Sequence, residues 1–243
     1  MNDRALSDVI GYVLVFSLII ATVGVVSTVG FTGLQDRQDA EQINNVERAF
    51  DVFDHNVEDV YKRGAPSRAT EMRLGGGSLG YGERIEIEIE SGGENVTASS
   101  TPLVYSRGNT EILYVSGAII RVDDGNAVML SEPDFVFETD HVVMPLIETR
   151  SRSDRTIGGE STIRVTSEFS FIETTVPAQL AEPSGSDVNV TIESSRAEAW
   201  ERYFEDQPGS VESDLENDRV RFTVEEKERI SAPRFRIRLD FRQ

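Results

Sequence analysis

The stretch VIGYVLVFSLIIATVGVVSTVGFTGL, residues 9–34, carries no charged side chain. Its apolar heart runs from Val9 to Phe31, which as a helix at ~1.5 Å per residue is about 34 Å long. That length crosses a hydrocarbon layer of roughly 30 Å with some tilt. Ser17, Thr22, Ser27 and Thr28 are tolerable there, because hydroxyls bond back to helix carbonyls. Gly11, Gly24, Gly30 and Gly33 are the small residues of spans that pack closely on neighbours. A cleaved secretory signal would have a shorter apolar run behind a basic segment. Here the run is long, only Arg4 precedes it with Asp3 and Asp8, and the periodic pattern continues past Leu34. The segment therefore reads as retained.

From Ile43 the apolar residues Val46, Phe50, Phe53, Val57 and Val60 follow at steps of three and four, and Tyr61 widens the same face. This is one stripe of an α-helix whose other faces are Asp, Glu, Gln and Arg. No Gly or Pro interrupts residues 35–62, and Gly64 with Pro66 ends the run. A single helix to about residue 63 is expected. Its stripe packs either on the β-domain that follows or, at about three heptads, in a coiled coil.

Beyond Gly75-Gly76-Gly77, read as a flexible connector, the period changes to two. Ile85, Ile87 and Ile89 alternate with Glu86, Glu88 and Glu90. Further strands are expected at 103–105, 112–115, 118–122, 127–130, 135–137, 142–147, 162–166, 169–175 and 188–192. Two more are Val220–Val224 and Phe235–Phe241, alternating with arginines. Pro145 demotes its strand to an edge or a bend. Asp123-Asp124-Gly125-Asn126 is a hairpin turn. A short helix from Ser195 to Asp206 is capped by Ser194 or Ser195. The fold class is α+β: a long N-terminal helix, then a mostly antiparallel β head, sandwich or folded sheet, with one short helix.

The 243 residues hold 24 Lys and Arg against 43 Asp and Glu, a formal charge of −19. Nucleic acid as a partner is disfavoured by that sign. Lys62 and Lys227 are the only lysines. Few lysines with abundant carboxylates suit concentrated salt, which screens the repulsion between them. The absence of cysteine removes disulfides, zinc ribbons and thiol nucleophiles. No cofactor or metal is expected: Gly75–Ser78 lacks the Gly-Lys-Ser/Thr of a phosphate loop, and the Asp123–Asn126 turn lacks calcium-loop spacing. No Gly-x-Ser-x-Gly elbow surrounds a serine, so no catalytic residue is nominated and the chain reads as a non-enzyme. His55 and His141 read as surface residues. Asn95-Val96-Thr97 and Asn189-Val190-Thr191 are glycosylation triplets. The arginines 234, 236 and 238 are expected to face Glu86, Glu88 and Glu90 in a cross-strand ladder.

Arg4-Ala5-Leu6-Ser7-Asp8-Val9-Ile10-Gly11 resembles the class III signal of archaeal, and in particular haloarchaeal, type IV pilins, with Asp8 where a proline is common. The resemblance covers about the first 34 residues. It implies that a membrane-bound prepilin peptidase cuts Ala5–Leu6 on the cytoplasmic side, leaving Leu6 as the mature start. The implied organisation is a leader (1–5), a transmembrane helix (6–34), an amphipathic stalk (35–63), a linker (64–77) and an extracellular head (78–243). It implies a single-pass cell-membrane protein with the head outside. That subunit would work in adhesion or surface structure, and would pack through its helix with copies or with other pilins in a filament. The alternative is a singly anchored extracellular binding protein that does not polymerise.

Overall fold

The computed structural model describes residues 3–152, 155–174, 178–183 and 185–242, and the side chains within these except 3–9, 28–36 and 178–179. The chain divides into two compact units, Met1–Asn45 and Val46–Gln243. Helix α1, Asp3–Tyr61, supplies all the described structure of the first unit and the start of the second. With no Gly or Pro between Leu34 and Lys62, nothing breaks its hydrogen-bond ladder there. It ends where Gly64 adopts φ +71°, and the Ala65 amide then bonds back to the Asp59 carbonyl at 3.0 Å.

Within the second unit the stripe of α1 is the inner face. Val46, Phe50, Phe53, Val57 and Val60 are all but inaccessible to solvent. Tyr61 lies against Phe235 with ring centroids 5.1 Å apart. Asn56 donates to Thr70 Oγ1 at 2.9 Å, and Arg121 reaches Glu47 at 2.7 Å. The stripe therefore packs on its own β-domain.

The described strands form four sheets. A six-stranded antiparallel sheet has the order Ile157–Gly158, Ser78–Tyr81, Leu103–Arg107, Thr110–Val115, Ala118–Asp123, Asn126–Ser131. A five-stranded one runs Ser210–Asp214, Arg219–Lys227, Ser186–Glu193, Ile85–Ser91, Glu94–Ser100. The four-stranded sheet is Ser67–Arg73, Thr162–Glu173, Arg234–Arg242, Leu146–Ser151. A three-stranded one joins Arg229–Ser231, His141–Val143 and Val136–Phe137. Inward residues of the five-stranded sheet, such as Ile87, Val190 and Phe222, meet Leu113 and Ile120 of the six-stranded sheet, Phe137 and Val142 of the three-stranded one, and Trp200 and Phe204 of a short helix in one core. Phe204 stacks on Phe222 at 4.7 Å, and Phe137 meets Phe222 edge-on at 4.9 Å.

Several details differ from the sequence reading. Residues 64–77 are not a linker: Ser67–Arg73 pairs along its length with Thr162–Glu173. Thr70 and Met72 point inward there, a two-residue apolar signal too short to announce a strand. The glycines that follow are fitted into the fold, since a Cβ on Gly77 would lie 2.4 Å from Tyr105 Oη. The expected 142–147 strand is two, split at Pro145, and each half pairs in parallel with one strand near the C-terminus. The strands expected at 162–166 and 169–175 are one, Thr162–Glu173, bulged between Phe169 and Phe171. Residues 175–177 lie outside the described residues. A second helix, α2 (Ala178–Ala181), is present, and the expected short helix is α3 (Ala197–Glu205). Arg196, not a serine, holds the N-cap position of α3; Ser194 Oγ accepts from the Arg196 amide at 3.1 Å.

Candidate functional site

The apolar side chains of Ile10–Ser27 in α1 make an exposed apolar surface. Ile10–Ser27 has a mean hydropathy of 2.3, and none of it is buried. Thr22 Oγ1 donates to the Leu18 carbonyl at 2.8 Å, so this hydroxyl is satisfied within the helix. A Cβ on Gly11 or Gly24 would meet nothing within 4 Å, leaving room for another surface to approach. The backbone of Arg4, Ala5 and Leu6 belongs to the opening turns of α1, where amides lack intrahelical partners. Their side chains lie outside the described residues.

In the second unit the two glycosylation triplets differ. Asn95 is exposed on the edge strand Glu94–Ser100 and donates to Glu88 Oε1 at 2.7 Å. Asn189 is half-buried on an interior strand and accepts from Thr223 Oγ1 at 2.8 Å. The first is therefore the more exposed, although its amide nitrogen is engaged by Glu88.

Asp124 and Gly125 both have positive φ, which makes the Asp123–Asn126 segment a hairpin turn. Asp123 accepts from Arg121 at 2.6 Å and from Thr110 at 2.7 Å. His55 is exposed. His141 is half-exposed, 2.9 Å from Asp140, and with Glu138 it places three donor atoms within 4.8 Å. These three sit on an exposed turn, where Glu138 N bonds the His141 carbonyl. Exposed acids beside one histidine on a surface turn are common, and nothing further points to a ligand.

A cavity of 280 Å³ opens between the six-stranded sheet and the start of α3. Ser106, Ser194, Ser195 and Thr156 line it, and the Arg196–Glu111 pair, 2.6 Å apart, crosses it. Serine needs a neighbouring base to act as a nucleophile. Two carboxylates line this cavity: Glu111, which is engaged by Arg196, and Glu83, which is exposed. The lining suits a small polar ligand held by hydrogen bonds.

The arginine row is not where the ladder expectation put it. Arg234, Arg236 and Arg238 lie in the four-stranded sheet, whereas Glu86, Glu88 and Glu90 lie in the five-stranded one. The expected ladder is therefore absent. Period two fixes which face a residue takes, not which strand lies beside it. The parallel neighbour of Arg236 is Glu148, buried, at 2.9 Å, and Arg150 reaches the same carboxylate oxygen at 3.5 Å. Arg234 pairs with Glu173, and Arg238 bonds the Ser170 hydroxyl at 3.2 Å. No signal in the sequence pointed to Glu148, because its own strand shows no alternation.

Residues 4–240, from the first basic residue into the last strand, match one family throughout. The chain belongs to DUF7289, a family of unknown function. No curated protein matches it. A comparison with solved structures returns the YwiB protein of Bacillus subtilis, at 10% identity over 69% of this chain and 98% of that one, with a TM-score of 0.17. So low a score carries no argument about the fold. The DUF7289 match takes in α1 and the sheets alike, so the apolar helix is part of the family pattern.

Proposed function

We propose that this chain is a type IV pilin-like cell-surface subunit. Prepilin peptidase cuts between Ala5 and Leu6, α1 holds the product in the membrane, and the β-rich unit lies outside. One observation carries the reading: eighteen consecutive residues, Ile10–Ser27, expose every side chain at a mean hydropathy of 2.3. A surface of that size does not stay in water. Lipid covers it before assembly, and the same helices of other copies cover it in a filament. The class III resemblance at Arg4-Ala5-Leu6 supplies the processing step, and the lysine-poor, acidic composition suits a haloarchaeal exterior.

The test is the mature N-terminus, read by mass spectrometry on chains from membranes and from sheared surface fractions. A start at Leu6 in both is expected. Chains that keep residues 1–5 in cells with active prepilin peptidase would remove the reading. A second reading, an anchored binding protein that never polymerises, is favoured by the polar 280 Å³ cavity beside Arg196. It predicts Leu6 or Met1 starts in membranes and none in the sheared fraction.

A further inference from the structure

The two Asn-x-Thr triplets share one sheet and one cross-strand row but not one environment. In register, Asn95 stands beside Glu90, and Glu90 beside Asn189. Asn95 and Thr97 are both exposed on the edge strand Glu94–Ser100, two residues apart and so on the same face. They follow a tight turn in which Gly92 and Gly93 both have positive φ, and a Cβ on Gly93 would meet nothing within 4 Å. Farther from the turn the edge is taken. The Thr97 carbonyl accepts from Arg234 at 3.1 Å, and the Thr101 amide bonds the Thr149 carbonyl at 3.0 Å. Asn189 and Thr191 instead occupy a strand flanked on both sides, by Ile85–Ser91 and Arg219–Lys227. Asn189 accepts from Thr223 at 2.8 Å, and Thr191 is only 8% exposed.

We infer that Asn95 is the acceptor of an N-linked glycan and that Asn189 is left bare. The inference rests on the pilin reading for one thing: that the β-rich unit lies outside the membrane, where an oligosaccharyl transferase uses lipid-linked sugars. The donor is an oligosaccharide joined through its anomeric carbon to a lipid phosphate. The Asn95 amide nitrogen forms a bond to that carbon, and the carbon–oxygen bond to phosphate breaks. The lipid phosphate leaves, and the amide gives up one proton. A primary amide carries two N–H donors. One holds Glu88 Oε1 at 2.7 Å, and the other is the one replaced, so the glycosylated side chain keeps its bond to Glu88. The Thr97 hydroxyl is exposed at the third position of the triplet, where the transferase reads Ser or Thr. A sugar at Asn95 also shields the turn end of an edge strand from pairing with another strand.

The test is the mass of full-length chains purified from membranes of cells with and without active oligosaccharyl transferase, followed by peptide mapping. The parent should carry added mass in whole sugar units on the peptide that holds Asn95, and none in cells without the transferase. Asn95→Gln and Thr97→Val should lose that mass completely, whereas Thr97→Ser and Asn189→Gln should keep it. Thr97→Ser guards against a folding artefact, since it keeps the hydroxyl and removes only a methyl. A parent with the mass of its amino acids alone overturns the inference, as does sugar on Asn189, by itself or together with Asn95. Mature chains that start at Leu6 and carry no sugar would sink the glycan and leave the pilin reading standing. Sugar on Asn95 in chains that keep residues 1–5, in cells with active prepilin peptidase, would do the reverse.

Discussion

The ring of Phe53 meets the ring of Tyr114 edge-on, with centroids 5.1 Å apart and planes at 85°. Phe53 comes from α1 and Tyr114 from the middle of the six-stranded sheet, and both are wholly buried. This contact converts the amphipathic stripe into part of the core. Phe53→Ala should cost about 3–5 kcal/mol, the usual loss for a buried phenylalanine. Phe53→Asp should abolish cooperative melting of the full chain in detergent. Val52, one residue away and 54% exposed, is the control: Val52→Asp should stay within about 0.5 kcal/mol of the parent. Equal melting of the Phe53 and Val52 variants would show that the stripe is not core.

Beside that contact sits Asp54, whose carboxyl is pushed up from 3.8 to about 7 by burial and then by the neighbouring Glu58. Asp134 adds to the rise, while His55 and Lys62 oppose it, and the buried Tyr114 phenol is itself pushed up by burial and by Asp54. The folded chain therefore holds a proton that the unfolded chain releases. Stability from this group is full below about pH 4, falls as pH climbs through about 7, and is flat above. Asp54→Asn should match the parent at pH 4 and be more stable above pH 7. The ceiling is about 4 kcal/mol, lowered to the extent that water reaches the site. Urea melts of both chains at pH 4 and pH 8 check this; a gap that does not widen with pH would refute it.

What the sequence made legible follows from periodicity. The α1 stripe and the alternation at 85–89, 220–224 and 235–241 each name a buried face, because burial selects every second or every third-to-fourth residue. Ser67–Arg73 escaped notice because the only inward residues in its stretch are Thr70 and Met72, and one of them is polar. The arginine face was visible as a row, but its partners were not. Strand neighbours such as Arg236 and Glu148, 88 residues apart, depend on topology that no local pattern encodes. The 280 Å³ cavity escaped for the same reason, since Ser106 and Arg196 come from distant segments.

Glu148 offers a test of that hidden pairing. It is buried, with Arg236 at 2.9 Å and Arg150 at 3.5 Å. Arg236→Ala leaves the carboxylate with only the weaker Arg150 contact at 3.5 Å and should cost about 1–3 kcal/mol. Arg236→Lys should recover only part of this, because an ammonium lacks the guanidinium's planar fork. Glu148→Gln should be milder than Arg236→Ala, since half-exposed arginines can turn to water. Thermal melts of the three full-length variants rank the effects; an Arg236→Ala chain as stable as its parent would mean that water already solvates Glu148.

Gly77 separates a fitted turn from a flexible connector. Its amide bonds the Leu74 carbonyl at 2.9 Å, and Tyr105 Oη donates to that same carbonyl at 2.8 Å. An added Cβ would sit 2.4 Å from the Tyr105 hydroxyl, in a ring that is wholly buried and has nowhere to swing. Gly77→Ala should therefore displace Tyr105, break its bond to Leu74 and cost about 1–3 kcal/mol, the range for overpacked cores. Tyr105→Phe in the same background should return little of the loss, because the ring carbons Cζ and Cε2 would lie 2.5 and 2.6 Å from the added Cβ and remain in phenylalanine. Gly93, where a Cβ meets nothing within 4 Å, is a poor control because its φ of +82° strains any side chain. Gly11 is the better one: no atom lies within 4 Å and its φ is not positive, so Gly11→Ala should leave the melting of the β-rich unit unchanged. A Gly77→Ala chain that melts with the parent would restore the connector reading.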